Sequence, residues 1–185
     1  MTWDVDASGA VLLVLLGAGL LAACWAWTRA GARTWTPIAL VLLLASLAWS
    51  GAADLQLAGD APRTLLVALA AGLAVVGGGP VTAALFGIVD RESTQTAGGD
   101  DDSLAGAGQL LRGGAWIGAL ERAAVVATLV AGWPEGTAVV LALKGLGRYP
   151  ELRNAGTGAV AERFIIGTFA SVLWAAACAA CVVLA

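Results

Sequence analysis

Long apolar runs separated by short polar breaks dominate this chain. Six stand out, at 9–27, 37–53, 65–89, 113–133, 134–149 and 160–184. A bilayer core about 30 Å thick is crossed by roughly 20 helical residues, so each run is read as a transmembrane helix. The first begins after Asp4 and Asp6 and ends at Arg29, and the second opens on Pro37, which suits a first helical turn. The third carries Gly77, Gly78, Gly79 and Pro80 near its middle. That stretch is read as a helix break of the kind transporters use to expose backbone, with a packed kink as the plainer reading. Glu121 and Arg122 interrupt the fourth run, and Lys144 enters the fifth early. From 134 to 149 a helix rises roughly 24 Å, enough for a short crossing with a snorkelling Lys144; a re-entrant loop is the alternative. Residues 92–112 are small, polar and acidic. They cannot bury enough apolar surface to offset the entropy of ordering, and are read as a flexible cytoplasmic linker between two three-helix halves, 1–91 and 113–185. The fold class predicted is an all-α polytopic bundle of about six helices.

Basic residues orient this map. The N-terminal tail has none, and the successive breaks carry Arg29 and Arg33, then Arg63, then Arg91 and Arg112, then none, then Lys144, Arg148 and Arg153. Low and high counts alternate, which by the positive-inside rule puts both termini outside. Trp3, Trp49 and Trp133 then fall near the outer interface, and Trp25, Trp27, Trp35 and Trp116 near the inner one, where an apolar ring with a polar N–H is favoured. Trp174 lies deeper and is assigned to packing between helices.

Composition agrees. Apolar residues make up 59 % of the 185 and charged ones 12 %, with a mean hydropathy of +0.85. A soluble domain of this size could not hide so much apolar surface, which excludes a water-soluble globular enzyme. The chain has no histidine, hence neither the usual general base nor the commonest metal ligand; no metal site and no cofactor is expected. A formal net charge of −3 leaves no basic surface for nucleic acid, so membrane lipids are the expected partners. Arginine outnumbers the single lysine, Lys144, and Ala, Gly, Val and Leu are abundant; both point to a high-GC prokaryote and its plasma membrane.

Two processing or redox signals come close to matching. Leu21-Ala22-Ala23-Cys24 has the form of a lipoprotein cleavage box, but the region before it is acidic where a cationic one is required. Cys178 and Cys181 form a C-x-x-C near the outer end of the last helix, the spacing of a thiol–disulfide oxidoreductase. Such membrane enzymes need a relaying pair, whereas Cys24 falls on the opposite side, and cysteine also serves as a small apolar residue.

Ionisable residues inside a span cost roughly 2.5–3.5 kcal/mol each and need a partner or a wet cavity. Glu121, Arg122, Lys144, Arg148, Glu162 and Arg163 all fall in the inner half of the last three helices and are expected to converge. Gly114, Gly118 and Arg122 share one face of the fourth helix; Arg163, Gly167 and Ser171 share one of the sixth, with Thr168 beside it. Small residues there allow close helix packing, and Glu162 with Arg122 or Glu121 with Arg163 are the interhelical pairs expected. Lys144 and Arg148 would then be surplus cations, suited to an anionic lipid headgroup or a small anion.

The pieces GAWIGALER, ALKGLGRYPEL and AERFIIGTFAS resemble, in order, a block found in uncharacterised multi-pass bacterial membrane proteins, with I-G-x-L-E-R, then A-x-K-x-x-x-R, then A-E-x-x-x-I-G-T-x-x-S. The resemblance spans residues 114–171. Gly145 stands where serine is expected and Arg163 where tyrosine is usual. It implies that Glu121, Arg122, Lys144, Arg148, Glu151, Glu162, Thr168 and Ser171 belong to one unit; it implies no activity.

The expected function is therefore non-catalytic: an integral membrane protein binding an anionic lipid or small anion at Lys144, Arg148, Arg122 and Arg163, with transport as its extension. The alternatives are a structural or assembly subunit, as a homo-oligomer or in a larger membrane complex, and a thiol oxidoreductase built on Cys178 and Cys181.

Overall fold

A computed structural model describes residues 4–28, 31–55, 57–96, 114–154 and 158–185. Six helices are found among them: α1 (Ala7–Trp25), α2 (Ala32–Ala52), α3 (Asp60–Thr96), α4 (Gly114–Val130), α5 (Glu135–Asn154) and α6 (Gly158–Val183). Four of these, α1, α2, α3 through Val89, and α6 from Val160, are long and apolar enough to cross a membrane, and the chain is a multi-pass membrane protein. The all-α prediction holds, apart from one two-residue pairing. Asp4–Val5 (β1) runs antiparallel to Leu57–Ala58 (β2), tying the N-terminus to the loop between α2 and α3.

Local chemistry explains the boundaries. Asp6 Oδ1 accepts a 2.7 Å hydrogen bond from the Gly9 amide and caps α1, satisfying a donor the helix cannot. α2 starts five residues before the expected Pro37, which sits inside the helix. The bond it deletes would have gone to the carbonyl of Arg33, in the exposed first turn, where water or headgroups satisfy it. α3 begins at Asp60, whose carboxylate favours a helix N-terminus, and continues unbroken through Gly77–Pro80 to Thr96. That continuity corrects two expectations. The glycine–proline stretch is not a helix break, and the helix runs five residues into the expected linker. Polar residues alone do not end a helix, and Asp90–Thr96 holds neither glycine nor proline. The rest of that linker, 97–112, lies outside the described residues.

The helices on either side of the expected linker pack together. α6 packs on α2, α3 and α4, while α3 also touches α1 and α2. Leu12, Leu16, Leu43, Leu66, Leu73, Val125, Cys178 and Cys181 are fully buried in the resulting core. α5 lies outside it and packs mainly on α4. The two form an antiparallel hairpin closed by Gly132, whose φ of +72° is one that glycine adopts without strain. Thr128 and Thr137 Oγ1 atoms meet at 3.2 Å, and Glu121 meets Lys144 seven residues further from the turn on each strand of the hairpin. The 20 residues of α5 form one helix, on the order of 30 Å long, with no reversal of a re-entrant kind.

Candidate functional site

The site is built where α4 crosses α3 and α6. Arg122 is 6 % exposed and reaches across to α3, donating to the Val75 carbonyl from Nε at 3.2 Å and Nη2 at 2.7 Å. Its Nη1 donates to Ser171 Oγ on α6 at 3.3 Å. This close approach depends on glycine: a Cβ at Gly78 would lie 2.3 Å from Arg122 Cδ, and one at Gly118 would lie 3.2 Å from Nη1. The neighbouring glycines take other large side chains. At Gly77 a Cβ would lie 2.4 Å from Trp174 Cζ2, and at Gly79 one would lie 2.9 Å from Trp27 Cζ2. Each indole also donates to α3, Trp174 Nε1 to Leu73 O at 3.1 Å and Trp27 Nε1 to Val76 O at 3.0 Å. Pro80 has no N–H, so the Val76 carbonyl lacks its helical donor, and Trp27 replaces it. Three consecutive glycines thus form a notch that meets side chains from α4, α6 and the turn after α1.

Beside Arg122, Glu121 forms a salt bridge with Lys144 of α5, the two side chains being 16 % and 18 % exposed. Glu121, Arg122, Lys144 and Ser171 line a small, partly open crevice of about 10 Å³ whose remaining walls are Val125, Val140, Leu141 and Val172. One carboxylate against two cations leaves these lining side chains at a net +1. An arginine carries five N–H donors and a lysine three. Among the described residues Arg122 uses three, on Val75 and Ser171, and Lys144 one, on Glu121.

This pairing corrects the one expected. Neither Glu162 with Arg122 nor Glu121 with Arg163 forms. Ser171 is the α6 residue level with Arg122, and Arg163 precedes it by eight residues, roughly 12 Å along the helix. Arg163 instead stands over the Phe86 ring, 5.6 Å from its centroid, a cation–π distance; Glu162 is exposed. The six charges do not converge: Glu121, Arg122 and Lys144 meet, and Glu162 and Arg163 stay apart. Lys144 is therefore no surplus cation. Arg148 is half-buried one turn beyond it on α5. The side chain of Glu151 lies outside the described residues.

The remaining candidates have structural places. Gly114 opens α4. Gly167 lies against Phe86, where a Cβ would come within 2.9 Å of Cζ. Thr168 Oγ1 is buried without a hydrogen-bond partner among the described residues, one turn before Ser171. Trp174 packs between helices, as expected, while Trp27, though 58 % exposed, rests one edge of its ring on Gly79. Cys178 and Cys181 are both 0 % exposed, and Cys181 Sγ donates to the Ala177 carbonyl at 3.4 Å. Both thiols are shielded from the surface in this fold.

No known protein family, characterised protein or solved structure matches this chain. The likeness carried by residues 114–171 rests on its motifs alone.

Proposed function

We propose that this protein is a non-catalytic multi-pass component of a prokaryotic plasma membrane, with both termini outside, and that the α4–α5–α6 crevice binds an oxyanion. The observation that carries this reading is the lining itself. A net +1 stands among apolar walls, with two N–H donors of Arg122 and two of Lys144 left over after their bonds within the protein. In such surroundings charge-assisted hydrogen bonds are about twice as strong as neutral ones. The enclosed space is small, about 10 Å³, on the order of one water, so the bound group would be a single phosphate or carboxylate seated at the mouth of the crevice. That group belongs either to an anionic lipid at the edge of the crevice or to a small free anion.

The two sources are separable. Native mass spectrometry from phosphatidylcholine nanodiscs with and without phosphatidylglycerol reads lipid retention, and nitrate titration into phosphatidylcholine discs reads the free anion. The variant Lys144→Met keeps the volume, takes the crevice to net zero and should lose whichever binding is found. Equal binding by Lys144→Met, or no binding of either probe to the wild type, overturns the proposal. Nitrate flux into proteoliposomes then tests transport.

A further inference from the structure

We infer that α3 beyond Pro80 is a lid, which pivots at the glycine notch and parts from α6, opening that end of the bundle as far as Arg122. The lid needs no bound anion. Burial changes abruptly at one level of three helices. On α3, Leu66, Ala70, Leu73, Ala74, Gly77 and Gly78 are buried, and no residue from 79 to 89 is. On α6 burial begins at Ser171 and is absent from 160 to 170; on α4 it begins at Arg122 and is absent from 114 to 121. Arg122 joins the three helices at that level, through Val75 and Ser171. One side of this plane is close-packed core. The other has the sparse buried contact that marks segments which open locally.

The backbone of α3 is weakest at the same plane. Pro80 deletes a helical hydrogen bond, Gly77, Gly78 and Gly79 favour helix less than any residue but proline, and helices bend at such residues. The donors of Trp174, Arg122 and Trp27 fasten the carbonyls of Leu73, Val75 and Val76, all on the core side of Pro80. Beyond it, α3 meets α6 at Gly167, against which Phe86 and Thr82 rest, with Arg163 over the Phe86 ring. In this closed position Thr168 Oγ1, next to Gly167 in the chain, is buried without a partner among the described residues. A buried hydroxyl left unpaired is costly, and water entering between the parted helices satisfies it. Closure gains contact at Phe86 and costs the solvation of Thr168; opening reverses both.

Paired nitroxide labels in phosphatidylcholine nanodiscs, read by pulsed dipolar spectroscopy, test the lid. In a Cys24→Ala background, labels at Ile88→Cys and Ile165→Cys report the lid end, and labels at Leu65→Cys and Leu173→Cys the core end; all four positions are exposed. The expected result is two distance components for the lid pair and one for the core pair. Thr168→Val removes the hydroxyl, keeps the branched shape and should lower the long-distance share about tenfold. Phe86→Ala removes the closing contact and should raise that share severalfold. A single component in the lid pair, or equal spread in the two pairs, overturns the lid. So does a long-distance share that either variant leaves unmoved.

Discussion

Replacing Gly78 with alanine adds one methyl group at the most crowded point of the glycine notch. The new Cβ would lie 2.3 Å from Arg122 Cδ and 2.6 Å from Nε. Arg122 cannot simply withdraw, because its guanidinium is held by two bonds to Val75 on the same helix and one to Ser171. Overpacking of this kind costs about 1–3 kcal/mol, and loosening hydrogen bonds of a charged group adds about 1.5–3 kcal/mol for each one lost. Against this, Gly→Ala within a helix gains up to about 1 kcal/mol. The net expectation is a loss of about 2–4 kcal/mol. Gly87→Ala is the matched control: it lies in the same helix with no heavy atom within 4 Å of the new Cβ, so the propensity gain should appear alone. Reversible unfolding in mixed detergent–SDS micelles, followed by tryptophan fluorescence, measures both. In an Arg122→Ala background the Gly78→Ala penalty should fall below about 1 kcal/mol, because the methyl then meets vacated space. Equal stability changes at positions 78 and 87, or a penalty unaltered by removing Arg122, would refute the notch.

Three further outcomes follow from the same geometry. Glu121→Leu strands Lys144 and should cost about 3 kcal/mol, the low end for a buried pair given the residual exposure of both side chains; adding Lys144→Leu should restore most of it, while a cycle between Glu121 and Arg163 should show no coupling in the same unfolding assay. Trp27→Phe should cost about 1 kcal/mol by leaving the Val76 carbonyl without a donor; that cost should shrink in a Pro80→Ala background, where the helix supplies its own N–H. Maleimide treatment of the folded protein in detergent should modify Cys24, which is exposed, and spare the buried Cys178 and Cys181; intact mass should show one adduct, rising to three on denaturation.

Much of the architecture was legible in the chain because its cause is local. Apolar runs of bilayer length specify helices whatever they pack against, since unpaired backbone groups are intolerable in hydrocarbon; α1, α2, α3 and α6 accordingly lie where the hydropathy puts them. Glu121 and Arg122 were recognisable as residues that must face protein, because an ionised group in a span is costly wherever it sits. The partners were another matter. Helix periodicity ranks residues around a helix, but the axial offset between two helices depends on how their surfaces interlock. A shift of roughly two turns between α4 and α6 was enough to put Ser171, rather than Glu162, against Arg122. The glycine–proline stretch was visible as an anomaly with two opposite explanations, a break that frees backbone or a groove that receives side chains. Only the tertiary structure chose, because the choice depends on three large side chains, two from other helices and one from the turn after α1, arriving at consecutive glycines: Trp174 at Gly77, Arg122 at Gly78 and Trp27 at Gly79. Composition and periodicity determined the solvent and the helices; the docking of those helices decided which charges meet, because that is set by shape complementarity between segments far apart in the chain.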